Sequence, residues 1–321
     1  MKRFFICAAA AIVALASCSK TEVVNTSAPE EIGFKAVTGV MTKTTTFDDD
    51  IELGVFANLT GDNDADGAEY FDNTPFAKGN GSTWTAEGKY WPLQSALNFT
   101  VYAPFVQGAT YEDNVLTIPV ADNSTAQIDW LYGAARYLGK EKGSEVATAL
   151  NHGLSKVTVK VYADKANVYT LTGVQLDATY QAGTLEITYD DNVPSVDAQL
   201  PEDDAYETED MNYITDATPI TAIANTEQSP AQPLGSVYVF PSDQTSFTVS
   251  YKIAGAGNNV LTAPITLDGT WDPGKHYTYV LKFTANQIEF SKPTINIWDN
   301  QDEVERDPQA ATEPQAPSQG A

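Results

Sequence analysis

The chain has 321 residues and a formal net charge of −25, from 43 Asp and Glu against 18 Lys and Arg. Its only arginines are Arg3, Arg136 and Arg306, so it lacks the clustered cations that displace counterions from phosphates, and nucleic acid is excluded as an expected partner. Its two cysteines, Cys7 and Cys18, both precede the main body of the chain, which is left without a thiol for a disulfide, a metal or a nucleophile.

Taken from the start, Lys2 and Arg3 give a positive opening, and residues 4–15 then run apolar and Ala-rich, too short for a permanent membrane span. Residues 1–17 therefore read as a signal peptide. The run closes on Leu15-Ala16-Ser17-Cys18, which resembles the bacterial lipobox, and predicts a lipid on Cys18. Residues 18–31 are polar and read as a flexible tether between that lipid and the first domain.

Beyond the tether the period is two almost everywhere. Residues 32–37 alternate, with Ile32, Phe34 and Ala36 on one face, and further strands are expected at 52–57, 97–103, 157–162, 168–176, 184–189 and 236–240. Phe247, Val249, Tyr251 and Ile253 alternate with polar neighbours, as do Tyr277, Tyr279, Leu281 and Phe283, and a last strand is expected at 293–298. Turn signals such as Asp272-Pro273-Gly274 separate them. A short helix is the expectation for 125–136 alone. The class is all-β, and half-polar strands suit sandwiches better than a parallel sheet between helices. A charged break at 140–144 divides the body into β-sandwiches over 32–147 and 148–299. Residues 201–210 form an acidic insertion, and residues 300–321 are an acidic, Pro-rich tail expected to be disordered.

Several blocks together resemble the fimbrillin family of the Bacteroidetes. These are Leu53-Gly54-Val55-Phe56-Ala57, Tyr90-Trp91-Pro92, the block from Leu97 to Pro104, the block from Asn151 to Val157, and Trp271-Asp272-Pro273-Gly274-Lys275-His276-Tyr277 with the closing Trp298. The resemblance implies two tandem transthyretin-like β-sandwich domains, export as a lipoprotein to the outer membrane, and assembly into surface fimbriae with other fimbrial subunits. It also implies that a protease removes the tether and first strand, and that the vacated groove accepts a neighbour's strand. Here Ile32, Phe34 and Ala36 would mark a removable edge strand, and Lys43 sits where related subunits often carry an arginine for a trypsin-like protease. Loss of the strand would expose backbone and apolar side chains that an incoming strand satisfies. The tail after 299 is a poor donor, since its only large aliphatic is Val304. Either the last strand, through Ile295 and Ile297, is donated, or the chain is an accessory, tip or anchor subunit that accepts without donating. A host or bacterial surface receptor is the remaining expected partner.

Other chemistry is thinly represented. Asp62, Asp64 and Asp66 match the first half of a calcium loop, but the twelfth position is Asn73 instead of a bidentate glutamate, and an acidic surface loop is the plainer reading. His152 and His276 lie in no nucleophile or metal motif, and no cofactor or catalytic activity is expected. His152 is expected to pack at the start of a strand and His276 at a turn. Trp84, Trp91, Trp130, Trp271 and Trp298 are expected in the core, where aromatics dominate sandwich interiors. The alternative function, glycan binding by a surface lipoprotein, needs two or three of them exposed on one face.

Overall fold

Alternating apolar and polar residues lay the chain out as strands, and the computed structural model describes residues 29–38, 51–60, 67–79, 83–93, 95–120, 127–138, 145–179, 182–190, 193–197, 209–214, 216–226, 229–241, 246–267, 269–285, 287–290 and 292–298. The signal peptide, Cys18, Lys43, the acidic triplet Asp62, Asp64 and Asp66, and the tail at 300–321 lie outside the described residues. The strands of the first half are β1 (Glu31–Thr38), β2 (Leu53–Thr60), β3 (Glu69–Lys78), β4 (Trp84–Tyr90), β5 (Ala96–Ala103), β6 (Thr110–Glu112), β7 (Val115–Val120), β8 (Leu131–Leu138) and β9 (Glu145–His152). The second half contributes β10 (Ser155–Ala163), β11 (Tyr169–Thr179), β12 (Gly183–Asp190), β13 (Val193–Asp197), β14 (Glu209–Ile214) and β15 (Thr218–Pro219). It continues with β16 (Gln232–Val239), β17 (Ser246–Ile253), β18 (Leu261–Thr266), β19 (Lys275–Phe283), β20 (Ile288–Phe290) and β21 (Thr294–Ile297). The protein is all-β.

In the first half, seven strands close into a barrel in the order β1-β4-β3-β2-β5-β8-β9, with β9 returning to β1. Its interior holds Ile32, Phe34, Leu53, Val55, Phe76, Leu97, Phe99, Val101, Val146 and Leu150, all essentially inaccessible. In the second half, one sheet runs β16-β10-β19 with β20 and β21 end to end along β19, and a second runs β14-β11-β17-β18. Val157, Val159 and Val161 of β10, Leu171 and Val174 of β11, Phe247 and Val249 of β17 and Tyr279, Leu281 and Phe283 of β19 fill the space between these sheets.

A fourth sheet, β13-β12-β7-β6, takes strands from both halves: Leu185 of β12 pairs with Ile118 of β7, and Ile187 with Leu116. Its apolar face packs on the outside of the barrel, where Phe56, Tyr102 and Tyr132 join Leu185, Ile187 and Tyr189. This packing explains Gly54: a Cβ there would stand 2.0 Å from the Tyr102 ring, which lies flat across it. Burial pushes the Tyr102 hydroxyl up to about 12, and it sits 2.7 Å from both Asn73 Oδ1 and the Val106 carbonyl.

Three expectations change. The segment expected as a short helix ends in β8, because β8 is covered on both faces: Leu131 and Ala135 point into the barrel and Tyr132 and Ala134 into the outer cluster. Burial on both sides fills the polar positions and erases the period-two signal. The division expected after residue 147 falls inside β9, whose last residues pair with β8. Finally, β1 is no edge strand. It is paired on both sides, antiparallel to β4 and parallel to β9.

Candidate functional site

The first strand and its two neighbours define the site. Along β9 the register runs from Gly33 opposite Glu145 to Thr38 opposite Leu150, and on the other side Phe34 faces Trp84 and Glu31 faces Tyr90 across one irregular step. The Trp91 N–H extends this side by donating to the Glu30 carbonyl at 2.9 Å. Alternation then sends Ile32, Phe34 and Ala36 into the barrel and Lys35 to solvent. The Phe34 ring is the anchor. It meets Phe76 edge-on at 5.0 Å between centroids and Phe99 at 5.1 Å, the arrangement that aromatic quadrupoles favour.

Fully burying a side chain such as Ile or Phe is worth roughly 1.5–3 kcal/mol, so Ile32 and Phe34 together hold the strand by about 3–6 kcal/mol beyond its backbone hydrogen bonds. Without β1 the barrel would present two open strand edges, β4 and β9, around an apolar slot. Two polar atoms at this slot stand out. Trp91 Nε1 and Thr148 Oγ1 are buried without a hydrogen-bond partner, and Thr148 occupies the inward-facing position of β9 opposite Ala36.

At the far end of β9 the two halves meet through His152. Its Nδ1 lies 2.8 Å from the Asp129 carboxylate, and its ring stacks on Trp298 at 3.8 Å with the planes 6° apart. Tyr238 packs on the same indole at 5.0 Å and the Lys156 ammonium lies 5.5 Å from its centre. The Trp298 N–H donates to the Gly274 carbonyl at 3.0 Å, and Gly274 supplies the left-handed turn, at φ 66°, that brings β19 beside it. His152 thus ends a strand instead of starting one, and the Asp129–His152 pair, covered by an indole, holds the junction. His276 belongs to β19, where Thr158 Oγ1 lies 2.7 Å from its Nε2; burial first, then Lys156 and Lys160, bring its pKa down to about 4.

All five tryptophans are buried, Trp298 the most accessible at 7%, so the stacking platform that glycan binding would need is not formed by them. Ile295 and Ile297, the candidate donor residues, lie in β21, which pairs with β19 as the chain's own edge strand; Ile295 packs on the core of the second half and Ile297 is exposed. Among the described residues no group of three His, Cys, Asp or Glu side chains could hold a metal ion.

The family model described as fimbrillin-like matches residues 38–298. The chain belongs to the fimbrillin-like family. Its fold is shared with a fimbrial protein of Bacteroides vulgatus, at 18% identity and a TM-score of 0.60, covering 84% of this chain and 99% of that one. A candidate cell adhesion protein from Bacteroides ovatus gives 16% identity and a TM-score of 0.57 over 86% and 100% of the two chains. One from Bacteroides uniformis gives 19% and 0.54 over 84% and 99%. No curated protein matches the chain in sequence.

In this fimbrillin-like chain the inward residues of β1 are legible from sequence, whereas the walls of its slot are not. β4 carries few apolar residues between Trp84 and Tyr90, and its strand character comes from its partners. β9 does alternate strictly, with Val146, Thr148, Leu150 and His152 buried, but its start lies against the charged break that marked a domain end.

Proposed function

We propose that this chain is an accessory subunit, at the tip or anchor, of cell-surface fimbriae, joined to its neighbour by exchange of the first strand. Residues 1–17 direct export, lipid on Cys18 holds the precursor at the outer membrane, and cleavage after Lys43 separates β1 from the body. Membership in the fimbrillin-like family supports the fimbrial role. The observation that carries strand exchange is the place of β1. It closes a barrel between two strands that are otherwise unpaired on that side, and it is held there by three inward side chains. Its loss opens a slot of one strand's width, and an incoming strand restores both ladders. The engagement of β21 with β19 and the seating of Trp298 on His152 support the accepting role over the donating one.

The test is to pin β1 in place. Lys35 and Ala147 are opposite each other, both outward and exposed, so the K35C/A147C pair forms a reducible crosslink between β1 and β9. The crosslinked subunit is expected to reach the cell surface and stay out of fimbriae until a reductant is added. Incorporation of the oxidised variant at the wild-type level would reject strand exchange at β1.

A further inference from the structure

The resident strand is an incomplete occupant of its slot, and we infer that the strand which replaces it comes from a different protein and carries a serine or threonine at the position of Ala36. This rests on the strand-exchange reading and names the partner's chemistry. Thr148 is 1% exposed, its hydroxyl has no partner, and the side chain beside it on β1 is a methyl group. A buried hydroxyl without a hydrogen bond is costly, and the cost is removed by a second hydroxyl on the neighbouring strand, as in the cross-strand Thr and Ser pairs of sheets. Of the other described side-chain atoms buried without a partner, Trp91 Nε1 belongs to a residue whose backbone adjoins β1, whereas Trp130 Nε1, Thr172 Oγ1 and Asn296 Oδ1 belong to residues elsewhere. Thr148 and Trp91 thus flank the removable strand, one on each side. Ile32 and Phe34 keep β1 in place during folding and export, while Ala36 leaves a better-fitting strand able to displace it.

The remaining slot chemistry fixes the rest of the motif. Reading in the direction of β1, the incoming strand places a large aliphatic residue at the Ile32 position, an aromatic one at the Phe34 position between Phe76 and Phe99, and the hydroxyl two residues further on. The chain's own last strand fails this pattern both ways. With Ile295 and Ile297 in the first two positions the third is Asp299, and in the reverse direction it is Pro293. An aspartate would bury a charge and a proline offers no hydroxyl. In this register the last strand of a second copy is therefore a poor donor, which favours a strand of another subunit as the occupant.

The experiment uses the full chain with a specific protease site within 39–50, nicked so that β1 remains bound but is no longer covalently linked. Fluorescent peptides with the sequence of residues 31–38 are offered in two forms, one with alanine and one with serine at the Ala36 position. The serine peptide is expected to bind about fivefold more tightly, the scale of one net hydrogen bond. In T148V the two peptides should bind equally. Equal uptake by the unmodified body, or a serine advantage that survives T148V, would overturn the inference while leaving strand exchange intact. Uptake of neither peptide would overturn both. In the un-nicked chain, A36S should raise the unfolding midpoint only when Thr148 is present, and no such dependence would argue against the hydroxyl pair.

Discussion

Phe34 supplies the largest buried ring on the first strand, and its two edge-on contacts make it the residue on which retention of that strand depends. F34A should lower the stability of the intact chain by about 3–5 kcal/mol, the usual cost of deleting a buried phenylalanine ring, read as a lower urea midpoint at unchanged slope. Phe34, Ile32 and Ala36 were legible because a short alternating run needs only its own sequence to assign its faces. His276 was not, since its neutrality comes first from its burial and then from Lys156 and Lys160 on β10, more than a hundred residues away. Its pKa near 4 lies below the ordinary histidine value, so protons bind the unfolded chain first. The stability it contributes is full above about pH 6.5, falls as the pH drops towards 4, and is level below that. H276Q, which retains hydrogen-bonding capacity towards Thr158, should flatten this part of the stability profile, measured by denaturant unfolding at stepped pH. An unchanged slope would show that other groups set it.

The first strands of the two halves have the same setting. β1 runs antiparallel to β4 and parallel to β9, the last strand of its half, and β10 runs antiparallel to β16 and parallel to β19. β10 follows β9 after two residues and so stays in its sheet, whereas β1 is preceded by the segment expected to be a tether and followed by the segment that holds Lys43. The same local geometry is therefore permanent in one half and, on the proposed reading, temporary in the other. Strands with one polar face, such as β10, β17 and β19, could be read from their alternation. β8 could not, because both of its faces are apolar for different reasons, and β4 could not, because little of it is apolar at all. The Trp298 seat beside β21 predicts that W298A loosens the junction: the melting temperature falls and amide exchange quickens at 152–154, at the end of β9. Faster exchange confined to β21 would show that the indole secures only its own strand.

At the level of the whole molecule, the shared β13-β12-β7-β6 sheet and the cluster around Tyr102, Tyr132 and Tyr189 interlock the halves, with the Tyr189 hydroxyl donating to the Gly133 carbonyl at 3.1 Å. A hairpin of the second half that pairs with a strand of the first is invisible to a reading that cuts the chain at a charged break, because such pairing is set by long-range register. The interlock gives the barrel a fixed flank, so that opening one slot need not unfold its surroundings. The strong negative charge keeps unassembled copies apart. The central claim is that β1 leaves on assembly, and the most direct measurement is the intact mass and N-terminal sequence of the subunit in fimbriae sheared from native cells, beside the form left in membranes. The account predicts a sheared form beginning at Thr44 and a membrane form lipidated at Cys18 with β1 present. A subunit within sheared fimbriae that still carries Cys18, its lipid and residues 31–38 would contradict it.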